Sequence, residues 1–175
     1  EYAIDYFKRL KDTYGKGKER KTEIRIFDDI VASKVAMNNA KLYVNREEGF
    51  IGTSLKRDEF VTDCSDIDDI IVFRKDGKMT VTKVDSKTFV GKDIIYVAVF
   101  KKKDKRTVYN FMYRDGARGP SYMKRFNVTS VTRDKEYDLT NGNKGSIVHY
   151  FTANLNGEAE AVTINLWAIG SVKKL

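Results

Sequence analysis

The chain's 175 residues suffice for one ordinary domain with a short extension and a sizeable core, and are too few for two independent domains. Lys and Arg number 33 against 25 Asp and Glu, a formal +8 with a pI near 9.4 that suits a polyanionic partner, while one Pro, ten Tyr and ten Phe favour strands over disorder. The lone cysteine, Cys64, excludes an internal disulfide framework and a zinc site of several thiolates, and fits a cytoplasmic chain. No apolar run nears the roughly 20 residues that cross a bilayer and no charged-then-apolar leader opens the sequence, so membrane and secretion readings are set aside.

From Glu1 to about Tyr14, the apolar residues Ile4, Phe7, Leu10 and Tyr14 recur at three- and four-residue steps and predict a short amphipathic helix. Gly15 and Gly17 interrupt it inside the basic stretch Lys16 to Lys21, whose composition suits a flexible connector, and a boundary is expected near Thr22. Residues 1–21 are thus read as helix and linker and residues 22–175 as a mainly β domain. The opening at Glu1 and the ending Ser171-Val172-Lys173-Lys174-Leu175 read as those of a piece of a longer protein.

Beyond the linker the grammar is strand, turn, strand. Arg46-Glu47-Glu48-Gly49, Arg74-Lys75-Asp76-Gly77, Arg114-Asp115-Gly116 and Asn154-Leu155-Asn156-Gly157 are polar runs closing on a glycine, which supplies the positive φ of a tight hairpin. They predict hairpins pairing Lys41–Val44 with Phe50–Leu55, Ile70–Phe73 with Met79–Val84, Val108–Tyr113 with Tyr122–Val128, and Ile147–Thr152 with Ala161–Leu166. Units of about 40 to 50 residues mark propeller-like arrays, and the chain holds about three, fewer than a closed propeller needs. A β-sandwich of the same strand count fits this periodicity equally well.

Catalytic chemistry is nearly absent from the sequence. His149, the only histidine, lies in the strand-like run Ile147 to Phe151 with no nucleophile motif beside it, and reads as a structural or exposed-edge residue. The acidic surroundings of Cys64 disfavour its thiolate, which makes it a packing residue. Asp63, Asp66, Asp68 and Asp69 lack the spacing of a calcium loop, and a solvated turn before Ile70 accounts for them. No phosphate loop occurs. The expectation is a chain with no catalytic residue, metal or cofactor of its own.

The positive signal is where the basic residues fall. Lys101, Lys102, Lys103, Lys105 and Arg106 cluster at a turn between two strands, and Arg114, Arg118, Lys124, Arg125, Arg133 and Lys135 follow within the next hairpin and its exit. Such a cluster suits phosphate contact more than it suits a merely solvated hairpin tip. Tyr109, Phe111, Tyr113 and Tyr122 interleave with it, an alternation that belongs to a sheet core more often than to base stacking.

Taken together these residues resemble the C-terminal region of the A subunit of bacterial DNA gyrase and topoisomerase IV, and topoisomerase IV the more closely. Tyr6-Phe7-Lys8-Arg9-Leu10 through Tyr14-Gly15-Lys16-Gly17 and Arg20-Lys21-Thr22-Glu23-Ile24 resembles the helix and linker leaving the breakage-reunion core. Asp69-Ile70-Ile71-Val72-Phe73-Arg74-Lys75-Asp76-Gly77-Lys78 is similar to the family's inner-hairpin repeat, and Gly119-Pro120-Ser121-Tyr122-Met123-Lys124-Arg125-Phe126 to its outer strand with a Lys-Arg pair. The resemblance implies a β-pinwheel of four-stranded blades whose basic rim binds and bends duplex DNA. It also implies a parent protein that dimerises and joins a separate ATPase partner, the B subunit, with ATP and Mg used through other domains. Two departures stand out. The Gln-Arg-Arg-Gly-Gly-Lys-Gly type box of gyrase is absent, which points away from negative supercoiling. The first repeat has Gly52-Thr53 where the Lys-Arg pair is expected, leaving Lys56 and Arg57 as substitutes. A protein-interaction propeller and an enzyme with a metal at Asp63 to Asp69 are the rival readings.

Overall fold

The computed structural model describes residues 2–18 and 39–165, and the chain divides into two units, 1–35 and 36–175. The first holds α1, Tyr2–Tyr14, whose apolar stripe is formed as the periodicity predicts and none of whose residues is buried. Its last turn closes on the amide of Gly15, which donates to the Lys11 carbonyl at 2.8 Å. The connector Lys16–Lys21 is described only as far as Lys18. The boundary near Thr22, with Arg20, Lys21, Glu23 and Ile24, lies outside the described residues.

The second unit is built of three antiparallel sheets. Their strands are β1 (Ala40–Asn45), β2 (Phe50–Gly52), β3 (Glu59–Cys64), β4 (Asp69–Arg74), β5 (Lys78–Lys83), β6 (Thr88–Phe89), β7 (Ile94–Phe100), β8 (Val108–Arg114), β9 (Ser121–Phe126), β10 (Glu136–Asp138) and β11 (Ile147–Asn154). Sheet 1 has the order β3-β1-β2-β6, sheet 2 the order β7-β4-β5-β10, and sheet 3 the order β11-β8-β9. Each sheet is thus built on a hairpin with, on the side of the first hairpin strand, a strand from later in the chain. In sheets 1 and 2 a fourth strand arrives from the repeat that follows. The corresponding position beside β9 is filled by no described residue.

The architecture is the mainly β, incomplete pinwheel of about three blades that the family resemblance implies, and not the β-sandwich that the hairpin periodicity left open. Gly49, Gly77 and Gly116, the closing glycines of the three hairpins, have φ of 82°, 83° and 78°, in the left-handed region that a side chain resists. At Gly77 a Cβ would also run into Thr140 Cγ2, and at Gly49 into the Gly91 carbonyl, so these turns double as contact points between repeats.

β4 shows why the sheets stack. Ile70, Ile71, Val72 and Phe73 are all at most 1% exposed, and the strand's period of two sends them to opposite faces. Ile70 and Val72 join Leu42, Val44, Ile51, Cys64 and Val97 in the core between sheets 1 and 2. Ile71 and Phe73 join Met79, Val81, Phe100 and Tyr109 on the other side, where Phe73 packs on Tyr109 and Phe151 with ring centroids 4.9 and 4.6 Å away. Each such side chain contributes about 1.5–3 kcal/mol by burial, so β4 alone fastens both neighbours.

The fourth expected hairpin is not formed. β11 ends in a 3-10 turn, Leu155–Gly157, with Asn156 left-handed at φ 60°, and residues 158–165 make no strand. Leu166 lies outside the described residues. The return is held by side chains instead. The Glu160 carboxylate accepts hydrogen bonds from Tyr150 (2.7 Å), Thr152 (2.6 Å) and Asn154 (2.9 Å), which occupies the outer margin of β11 without a backbone ladder.

Candidate nucleic-acid interface

The hairpins define two ends for each sheet. At the turn end lie the three tight turns, joined by two bridging segments. Val90 and Ile94 donate to the carbonyls of Gly49 and Arg46 while Lys75 donates to Asp93, and Leu139 and Val148 donate to Gly77 and Lys75. At the far end lie the loops that leave β5, β7, β9 and β11. The basic residues singled out from the sequence are divided between these ends.

Most gather at the far end of sheet 3. Lys101, Lys102, Lys103, Lys105 and Arg106 are all exposed on the β7–β8 loop. Lys103 donates its amide to Thr129 at 2.8 Å and Asn127 donates to the carbonyls of Lys105 and Thr107, so this loop is laced to the one leaving β9. Arg106 donates to Asn156 through Nε at 2.8 Å, which adds the turn after β11 to the cluster. Asp104 is the acid within the loop. Its carboxylate accepts from the Thr107 hydroxyl, and this bond first, then the Arg106 amide, holds its pKa below the usual range. Among the described residues none of the four lysines is in an ion pair.

Lys124 and Arg125 do not act as a unit. β9 pairs with β8 so that Tyr122, Lys124 and Phe126 oppose Tyr113, Phe111 and Tyr109, the buried face, whereas Met123 and Arg125 oppose Met112 and Asn110 on the outward one. Lys124 is accordingly half-buried. Its ammonium donates to the Leu139 carbonyl at 2.7 Å and lies 5.2 Å from the centre of the Tyr113 ring. Arg125 is exposed and donates to the Gly157 carbonyl at 2.6 Å. The outward face of sheet 3 therefore runs from Arg114 and Ser121 through Met112 and Met123 to Asn110 and Arg125, with Glu160 as the acid at the β11 margin.

The remaining candidates are dispersed. Arg114 is half-buried at the turn end, its Nε donating to the Gly116 carbonyl at 3.2 Å, and Arg118 is exposed on the same turn. Arg133 meets Asp69 with Nε 2.7 Å from Oδ1, an ionic contact without good hydrogen-bond alignment. Lys56 and Arg57 are exposed on the β2–β3 loop of sheet 1, and the face of Gly52 beside it is filled by the backbone of Ser86. Lys144, absent from the sequence-derived set, is exposed beside Arg118's turn. The glycines flanking it in Asn141-Gly142-Asn143-Lys144-Gly145 were the available signal.

The other sequence readings find their places. Tyr109, Phe111 and Tyr113 are 6%, 1% and 0% exposed, and burial raises the Tyr109 hydroxyl well above its ordinary pKa. Cys64 is buried in the first core. Burial, then Asp68 and Asp63, pushes its thiol up. His149 is exposed on the edge strand β11, at a bulge between Val148 and Tyr150. Asp68 accepts the Ser65 amide at 2.8 Å, closing the turn before β4.

An ionic network links repeats at the turn end. Glu136 on β10 accepts from Lys78 at 2.6 Å and from Arg74 at 2.8 Å, and Arg74 also holds Asp76 and donates to the Val90 carbonyl. The Lys78 hydrogen bond is the largest cause of a lowered Glu136 pKa, with the charge of Arg74 acting the same way against burial. At sheet 1, Arg46 holds Glu59 at 2.7 Å and donates to the Ile94 carbonyl.

Among the described residues no helix is long and apolar enough to cross a membrane. Comparison with known proteins gives a consistent picture. The chain is 31% identical over 143 residues, 81% of its length, to a protein of Borreliella burgdorferi (strain ATCC 35210 / DSM 4680 / CIP 102532 / B31) described as the A subunit of DNA topoisomerase 4. It spans 23% of that relative's length. No solved structure matches it. The family model described as Topoisomerase C-terminal domain, Bacteroidota, matches residues 41–174, which covers all three sheets, and the chain belongs to this family of topoisomerase C-terminal domains.

Proposed function

We propose that the chain binds duplex DNA non-specifically and bends it, as the C-terminal part of the A subunit of a type II topoisomerase. The observation that carries this reading is the far-end cluster of sheet 3: exposed lysines on a loop fixed by its neighbours, continuous with the outward face that ends in Arg125. Fixed cations next to an open sheet face suit a phosphate backbone, which is met by charge and forks irrespective of sequence. Bending 20 to 30 base pairs by 40 to 90° costs on the order of 1–6 kcal/mol, so contacts on more than one repeat must offset it. The parent protein is proposed to dimerise and to join an ATPase partner, the B subunit, that supplies the ATP and Mg chemistry. Relaxation or decatenation in the bacterial cytoplasm is favoured over negative supercoiling, because the gyrase box is missing from the sequence.

The test is a salt series of binding to a duplex of about 40 base pairs, wild type against Lys101→Glu, Lys102→Glu. With about six phosphates engaged, wild-type affinity falls about 10³-fold between 50 and 200 mM salt, and the variant is weaker with a shallower slope. Weak, equal binding by both proteins refutes the reading. A protein-contact role attaches to sheet 1, whose outward face exposes Phe60 (49%) and Phe89 (58%) beside Tyr43 and Phe50. Under that reading both proteins bind DNA poorly, while Phe60→Ser, Phe89→Ser abolishes capture of the partner.

A further inference from the structure

The two bridging segments occupy equivalent positions in successive repeats yet differ in build. The first, Val90 to Asp93, is short and pinned at its two ends: Val90 donates to Gly49, the following Ile94 to Arg46, and the facing turn sends the Lys75 amide to the Asp93 carbonyl. Arg74 fills the space over Gly91 with its guanidinium. The second, Leu139 to Ser146, is longer, and so is the turn it faces, Asp115 to Pro120 between β8 and β9.

These two longer loops interlock. Asp115, buried at 5% exposure, accepts the Asn143 side-chain amide at 2.5 Å, the Ser146 hydroxyl at 3.1 Å and the Asn141 backbone amide at 3.3 Å. Burial opposes its charge, and the Asn143 and Ser146 hydrogen bonds more than compensate, so its pKa is lowered and its charge is met inside the loop. Ser146 accepts the Gly116 amide at 2.9 Å, and the space a Cβ would take on Gly145 is bounded by Ala117 at 3.3 Å. Gly142 and Gly145, at φ 84° and 86°, hold backbone conformations that present main chain to the outside.

Six backbone amides in these touching loops, those of Ala117, Arg118 and Gly119 and of Asn143, Lys144 and Gly145, donate to no acceptor among the described residues. Arg118 and Lys144 stand on the same two loops, exposed and in no ion pair among the described residues. Glycine-bearing turns with free amides and adjacent cations form anion-binding concavities. We propose that the interlocked loops 115–120 and 140–146 form a phosphate-binding cradle that grips the backbone of duplex DNA at the turn end of sheet 3, with Arg118 and Lys144 supplying charge and the free amides supplying hydrogen bonds. The proposal rests on the DNA-binding reading above and adds a second grip, at the other end of the outward face from the lysine loop.

The test is a double variant, Arg118→Gln, Lys144→Gln, which removes exposed charges without touching the Asp115 network. Its binding to the duplex of about 40 base pairs is followed from 50 to 200 mM salt, together with backbone amide NMR shifts of the wild-type chain on adding DNA or inorganic phosphate. The expected result is a log-affinity slope shallower by about 1 to 2, from about 0.9 per phosphate released, with the amides of 117–119 and 143–145 among those that move. Movement of the same amides with inorganic phosphate alone and none with the duplex overturns the DNA assignment. If wild type binds with a steep slope that the variant retains, and those amides stay still, the cradle is refuted while the lysine-loop reading survives. If wild type does not bind DNA at all, the functional reading itself falls, and the cradle with it.

Discussion

Neighbours in sequence, Lys124 and Arg125 are expected to fail in different assays. Lys124→Ala removes a charge-assisted hydrogen bond to the Leu139 carbonyl, worth about 1.5–3 kcal/mol, and a cation–π contact with Tyr113 worth about 0.5–1 kcal/mol. A stability loss of about 2–3 kcal/mol follows after allowing for partial exposure. With a urea m-value of about 2 kcal/mol/M, the unfolding midpoint drops by about 1 M or slightly more at unchanged m. Arg125→Gln gives up bonds only to the exposed Gly157 and Glu158 carbonyls, and shifts the midpoint by less than about 0.5 M. In DNA binding the order reverses: Arg125→Gln makes the log-affinity slope against log salt shallower by about 0.9, whereas Lys124→Ala leaves it unchanged below its unfolding transition. A double charge reversal would merge these effects, so the single variants are the informative ones. The reasoning is refuted if Lys124→Ala keeps the wild-type midpoint and loses the slope, because the lysine would then face the ligand.

Three further outcomes follow from the geometry. The Glu136 network is intact at neutral pH. Because its pKa is depressed in the fold, its stabilisation is fully present above the ordinary glutamate value and disappears as pH falls through the folded value; with the carboxylate nearly half exposed it amounts to no more than about 1 kcal/mol. Urea midpoints measured from pH 7 down to 3 should therefore converge for wild type and Glu136→Gln. Phe73→Ala, at a site 0% exposed between Tyr96, Tyr109 and Phe151, should cost about 3–5 kcal/mol by chemical denaturation and loosen sheets 2 and 3 together. Cys64, buried and with its thiol pKa pushed up, should react with a thiol reagent no faster than the unfolding rate across neutral pH; immediate reaction in the folded protein would show its surroundings to be open.

The hairpins were legible because turn chemistry is local. Glycines 49, 77 and 116 announce positive φ within a few residues of strand-like runs, and the structure uses each accordingly. β6 and β10 left no such trace. Thr88–Phe89 and Glu136–Asp138 are too short to show a period, and what makes them strands is an edge offered by another repeat. The same limit governs the interface. The lysine loop is visible as a run of charges, whereas the partner of Arg133, Asp69, is fixed only by the approach of distant segments. The separation of Lys124 from Arg125 was within reach, since alternation in a strand sends consecutive residues to opposite faces, but a basic pair reads along the chain as one patch. The turn after β11 misled for a physical reason: Gly157 has the positive φ of a hairpin glycine, while Glu160 draws the following segment aside through side chains.

Strand exchange between repeats has a mechanical consequence. Under the proposed function a curved duplex would pull outward on whatever grips it, and a stack of separate sheets would meet that pull only with side-chain packing. Here β10 belongs by sequence to the stretch that builds sheet 3 and by hydrogen bonding to sheet 2, and β6 stands in the same relation to sheets 2 and 1. Tension on one sheet is thus carried into the next along main-chain bonds. The array resists being peeled apart in the manner of a woven strap, in which no layer can leave without drawing a thread from its neighbour.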